Sequence, residues 1–199
     1  FFFKQKTAYE ISTRDWSSDV CSSDLRIDIL KNQFYNYNVT DLKVHTYKKY
    51  EPGDHIFYGE YIDILPNFHK AVTSSHLKTI KKWYNETNED YTIICEDDLS
   101  LETVEYWQFD WSSFFMALPK NWEMIQLVIV KEQDVLDTDK TFRTRDWDQW
   151  SSCAYLIKRN FAKKLLDVYH NNDTFTLTYR GLDEHQRKKT GDLTWIKAG

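Results

Sequence analysis

Glycine is scarce in this chain: 5 residues in 199, alongside 3 prolines, 3 cysteines and 2 methionines. So few glycines leave no GxxxxGK(S/T) loop and no GxGxxG turn. The backbone cradles of P-loop nucleotidases and dinucleotide enzymes are therefore excluded. Cys21, Cys95 and Cys153 form neither a disulfide framework nor a zinc spacing. Cys95 and Cys153 sit in apolar segments, where a thiol behaves as a small hydrophobe. No apolar run reaches the roughly 20 residues of a membrane span. The formal net charge is −5 at pH 7, without basic blocks. A mildly acidic chain of this kind is a poor holder of nucleic acid, whose phosphates demand clustered cations.

The first line, FFFKQKTAYEISTRDWSSDVCSSDL, has no period-2 or period-3.6 apolar order. Its wording resembles a translated sequencing adapter. KQKTAYEI and DWSSDVCSSDL back-translate to the two adapter arms, with Ser12 and Thr13 where a sample index falls. Residues 1–25 are therefore expected to be a non-native segment, set aside as a tag would be. Residues 26–199 are expected to form one domain, a fragment whose beginning the foreign text replaces.

Within 26–199, Ile27, Leu30 and Phe34 have helical spacing, and Leu42–Tyr47 alternates as a short strand does. In TSSHLKTIKKWYNE the hydroxyls of Thr73, Ser74 and Ser75 are expected to cap a helix whose inner face is Leu77, Ile80 and Trp83 or Tyr84. Tyr91–Cys95 reads as a buried strand. WSSFFMALP reads as a short helix closed by Pro119, and Met124–Val130 as a second core strand. The polar stretch Lys131–Trp150 is long enough to be a binding loop. A strand over Cys153–Ile157, a helix over Asn160–Tyr169 and an alternating segment over Thr174–Arg180 follow. Strands interleaved with helices predict an α/β domain with a largely parallel sheet.

The strand at Tyr91 ends in Glu96, Asp97 and Asp98. In open α/β sheets ligands collect outside the carboxyl ends of strands. Alternation turns Glu96 and Asp98 to one side and Asp97 to the other until the chain bends. Three adjacent carboxylates raise one another's pKa unless a cation neutralises them, and hard oxygen ligands suit Mg²⁺ or Mn²⁺. Such a metal clamps phosphates. The plainer reading is a solvated acidic turn. Ser75 and His76, at the expected helix start, are placed to meet a phosphate, or simply to cap. Trp147 and Trp150, beside Asp146, Asp148 and Gln149, offer the ring-face and hydrogen-bond mixture that sugars use.

The ordered set SSHLKTIKKWYNE, YTIICEDDLSLE, LPKNWEMIQL and WSSCAYLIKRNFAKKLL resembles family-25 glycosyltransferases, the group of lipooligosaccharide and collagen galactosyltransferases. The resemblance runs from about Asn67 to Tyr169. It implies a GT-A-like, Rossmann-type nucleotide-sugar-binding domain, incomplete here, and metal-dependent inverting transfer of a sugar to an acceptor hydroxyl on a glycan or protein. The donor would be a nucleotide-diphosphate sugar. Asp98 would be the principal ligand of Mn²⁺ or Mg²⁺, with Glu96 and Asp97 as further ligands or ribose contacts. Ser75 and His76 would lie near the donor, and Asp146, Asp148 and Asp183 are candidates for the base. The family's opening strand, which cradles the nucleotide base, is expected to be missing, so the chain as written is expected to bind donor weakly. The alternative is a degenerate domain of the same fold that holds a glycan without turning it over.

Overall fold

The computed structural model describes residues 8–13, 20–39, 41–47, 57–58, 67–106, 110–128, 153–171 and 174–176. It is a mixed α/β arrangement. Five strands make the main sheet: β1 (Ala8–Thr13), β2 (Leu42–Thr46), β4 (Tyr91–Glu96), β5 (Met124–Gln126) and β6 (Ala154–Lys158). Their spatial order is β2-β1-β4-β6-β5. β1 pairs in parallel with both β2 and β4, whereas β6 is antiparallel to β4 and to β5. β6 alone runs against the other four, but two of the four ladders are parallel and two antiparallel, so the expected largely parallel sheet is corrected to a mixed one. A smaller sheet has the order β3-β8-β7, from Phe57–Tyr58, Thr174–Thr176 and His170–Asn171.

The segment expected to stand outside the domain supplies β1, the strand between β2 and β4. The reason is local as well as topological. Tyr9, Ile11 and Thr13 alternate through AYEIST, and aromatic and β-branched residues favour strands. The facing edges of β2 and β4 carry backbone donors and acceptors that only another strand can satisfy in full.

Four helices cover the sheet among the described residues: α1 (Val20–Asn36), α2 (Asn67–Glu86), α3 (Trp111–Ala117) and α4 (Arg159–Tyr169). Alternation along β4 and β6 divides the core in two. Ile94, Tyr155 and Ile157 pack with Leu77, Ile80 and Trp83 of α2 and with Phe161, Ala162 and Leu165 of α4. Ile93, Cys95, Ala154 and Leu156 pack on the other side with Leu30 and Phe34 of α1 and with Leu118. Both faces of β4 are therefore dry, which is why its text is continuously apolar rather than alternating.

α1 ends by a specific device. Asn38 has φ 60, Val39 N–H donates to Phe34 O and Asn38 N–H to Tyr35 O. This is the paired closure of a Schellman turn, with Asn taking the left-handed position. The buried Val39 and Phe34 join the same core cluster. α3 begins on a capping box: Ser113 N–H donates to Asp110 Oδ1 at 2.7 Å, and Asp110 N–H to Ser113 Oγ at 3.2 Å. Its aromatic side chains pack on Tyr91, whose ring lies 4.8 Å from that of Phe115.

The expected start of the second helix is corrected. α2 begins at Asn67, so Thr73, Ser74 and Ser75 are interior helical residues and are buried. Hydroxyl residues favour caps because they offer the backbone a local partner. Here packing against the sheet overrides that preference. The expectation for Met124–Val130 shortens to Met124–Gln126, and residues 129–130 lie outside the described residues.

Candidate functional site

The chain runs from β1 to β2 on one side, then returns through α2 to β4 on β1's other side. The helices change face at the same point: α1 packs beneath Ile93 and Cys95, α2 above Ile94. A reversal of this kind opens a crevice outside the carboxyl ends of the two central strands. β4 delivers Glu96, Asp97 and Asp98 there, in register with Ser12 at the end of β1.

Successive side chains leave β4 in different directions, and each finds a different partner. Glu96 continues the face of Ile94 and is buried beneath α2. Its Oε1 lies 3.1 Å from His76 Nε2, and His76 Nδ1 lies 3.0 Å from the Tyr155 hydroxyl on β6. All three side chains are essentially inaccessible to solvent, with exposures of 2 %, 0 % and 1 % for Glu96, His76 and Tyr155. Tyr155 pairs with Ile94 across the β4–β6 ladder, so its ring stands on the same face as Glu96. Burial holds the Tyr155 phenol well above its ordinary pKa. The phenol therefore stays protonated as a hydrogen-bond donor or acceptor.

Asp97 continues the opposite face, that of Ile93 and Cys95, and meets α1. The Arg26 guanidinium approaches it at 3.1 Å, with Asp97 buried and Arg26 partly exposed. Asp98 follows in a tight turn, which Leu99 N–H closes by donating to Glu96 O. Asp98 is the exposed member of the three. The Cys153 thiol donates to its Oδ1 across 3.6 Å, and Glu96 N–H donates to Cys153 O at 2.7 Å. Beyond the turn, Leu101 N–H donates to Gln33 Oε1 at 2.6 Å and its carbonyl accepts from the Tyr37 hydroxyl. α1 therefore grips both the start and the far side of the acidic turn.

Of the expected residues the structure brings His76 onto Glu96 and leaves Asp97 and Asp98 on the turn that follows. Ser75 is buried one residue before His76 in α2. It lies two turns inside the helix, so the reading of Ser75 and His76 as a helix-start phosphate cradle is corrected: the free N–H groups of α2 are at Asn67. Asp98 was expected as the principal metal ligand, with Glu96 and Asp97 as further ligands or ribose contacts. Glu96 and Asp97 turn to opposite faces, and among the described residues no group of three His, Cys, Asp or Glu side chains could by itself hold a metal ion. Asp146, Trp147, Asp148, Trp150 and Asp183 lie outside the described residues.

Three participants were not legible as such in the sequence. Tyr155 is written inside an apolar strand, and only pairing with Ile94 shows that its hydroxyl reaches α2. Arg26 is an isolated charge until α1 is laid under β4. Cys153 reads as a small hydrophobe, yet its thiol faces Asp98. None of the helices among the described residues is long and apolar enough to cross a membrane. No protein-family model matches the chain, and no curated protein matches it.

Proposed function

We propose that this chain is a donor-binding domain of a metal-dependent inverting glycosyltransferase. It would move a sugar, with galactose the first to test, from a nucleotide-diphosphate donor to a hydroxyl of a glycan or protein acceptor. The GT-A-like form of the fold and the family-25 relationship belong to the same proposal, resting on the ordered motifs of the sequence. The observation that carries the reading is the position of Asp98: an exposed carboxylate on a braced turn, at the carboxyl end of β4, where the strand order reverses.

The donor set fits a particular kind of metal site. Mg²⁺ and similar ions are commonly held by one or two carboxylates together with substrate phosphates. Asp98 would hold Mn²⁺ or Mg²⁺ in this way, with Asp97 next to it along the chain. Bound there, the ion supplies charge stabilisation to the departing diphosphate. Arg26, partly exposed against Asp97, balances the carboxylate charge beside the acidic turn. Asp146, Asp148 and Asp183 remain the candidates for taking the acceptor's proton, and Trp147 and Trp150 for covering a sugar face.

Binding tests this directly. Titrating the intact chain with uridine diphosphate and its sugar conjugates, then with other nucleoside diphosphates, with and without Mn²⁺, should give heat only when the metal is present. Asp98→Asn should weaken that binding by on the order of 100-fold, the loss of a close charge contact. Metal-independent glycan binding that survives Asp98→Ala would instead establish the degenerate, glycan-holding alternative.

A further inference from the structure

We infer that His76 and Tyr155 are positioning residues for the acidic turn, and that Glu96 is the group they act through rather than a ligand of the metal. The inference rests on the donor-binding reading for its functional consequence, and on geometry alone for the positioning itself. Glu96 is the last residue of β4, and the turn carrying Asp98 starts from it. Whatever fixes the Glu96 side chain fixes the direction from which Asp97 and Asp98 depart.

Two elements contribute to this. His76 approaches from α2 at 3.1 Å and Tyr155 holds His76 from β6 at 3.0 Å. The three side chains thus tie helix, strand β4 and strand β6 into one chain of hydrogen bonds shielded from solvent. An imidazole bridging a carboxylate and a phenol is held in orientation by both. In the tautomer that suits both partners, Nε2–H donates to Glu96 and Nδ1 accepts from the Tyr155 hydroxyl. Glu96 so placed is closed off from solvent, whereas Asp98 is exposed. The pattern is that of outer groups that orient a ligand without touching the metal.

Neutral Gln at position 96 can keep the same chain. Its amide donates to Nε2, the imidazole proton moves to Nδ1, and Nδ1–H donates to the Tyr155 oxygen. Phe at position 155 removes one hydroxyl, keeps the ring and leaves Nδ1 without that partner. These two variants separate positioning from ligation.

The experiment measures two things on the intact chain. The first is the rate at which iodoacetamide alkylates Cys153, followed by mass spectrometry of its peptide, because the thiol touches Asp98 and its reactivity reports the turn. The second is Mn²⁺-dependent binding of uridine diphosphate by calorimetry, with circular dichroism confirming the fold. Tyr155→Phe should change the Cys153 rate and weaken Mn²⁺-dependent binding about 2- to 10-fold, the loss of one buried hydrogen bond. Glu96→Gln should leave both readouts within about 2-fold of wild type, a small fraction of one such bond. A folded Glu96→Gln protein that loses Mn²⁺ binding while keeping the Cys153 rate would make Glu96 a metal ligand and overturn the inference. A Tyr155→Phe protein with an unchanged Cys153 rate would overturn it as well. If wild type binds no nucleoside diphosphate, the functional proposal fails, and the Cys153 rates alone decide the positioning.

Discussion

Replacing His76 by Ala gives the sharpest test of how the buried chain is held together. In the structure Glu96 has His76 Nε2 within 3.1 Å and is 2 % exposed. Removing the imidazole leaves a carboxyl group in a dry space without that partner, and breaking a buried pair in this way costs about 3–5 kcal/mol. For a chain of this size each kcal/mol lowers Tm by roughly 2–4 °C, so the expected fall is roughly 6–20 °C. Glu96→Gln keeps the shape and allows the tautomer to exchange, so it should cost only about 0.5–1.5 kcal/mol, the scale of one altered hydrogen bond. The double replacement His76→Leu with Glu96→Leu should recover most of the His76→Ala loss, because apolar side chains of similar volume need no partner. The assay is urea unfolding followed by tryptophan fluorescence, comparing midpoints at constant m. A His76→Ala cost below about 1 kcal/mol, or single His76→Leu and Glu96→Leu effects that add to within about 0.5 kcal/mol in the double variant, would refute the claim that the two residues act as one unit.

Further outcomes follow from the same structure. Burial pushes the Cys95 thiol up to about 12 from 9.0. Below pH 9 both folded and unfolded chains keep this proton; between pH 9 and about 12 only the unfolded chain loses it, so stability should fall by about 1.4 kcal/mol per pH unit. Cys95→Ala should flatten that part of a stability-against-pH curve measured by urea titration, and native Cys95 should resist alkylation at pH 8. Asp110 is held below its usual carboxylate range by the backbone and side chain of Ser113. Its cap contribution is present above the ordinary Asp pKa and lost as pH falls through the depressed value. Asp110→Ala should therefore lower Tm slightly at pH 7, and the difference from wild type should shrink at pH 2–3. Leu156→Ala empties a fully buried site on β6 and should cost about 2–5 kcal/mol by thermal unfolding.

Particular residues show where sequence reading succeeded and where it stopped. The apolar text of Tyr91–Glu96 and the helical spacing of Phe161, Leu165 and Tyr169 were legible because burial on a sheet or helix leaves a period in the sequence. The start of α2 was misjudged because Thr73, Ser74 and Ser75 carry a strong cap signal. Only the packing of α2 over the sheet shows that they lie inside. The wording of Ala8–Thr13 hides its strand, and its place between β2 and β4 depends on edges 33 and 84 residues further along the chain.

The acidic turn divides in the same way. That three carboxylates close an apolar strand, and that alternation must part Glu96 from Asp97, follows from covalent geometry and is written in the sequence. Which partner each one meets is a matter of tertiary structure. His76 reaches Glu96 because α2 lies on one face of β4, Arg26 reaches Asp97 because α1 lies on the other, and Asp98 is left outside. Local sequence carries the periodicity and the order of charges. The opposition of two helices across one strand arises only when the chain reverses at β1, and that reversal assigns the three neighbouring acids to three different environments.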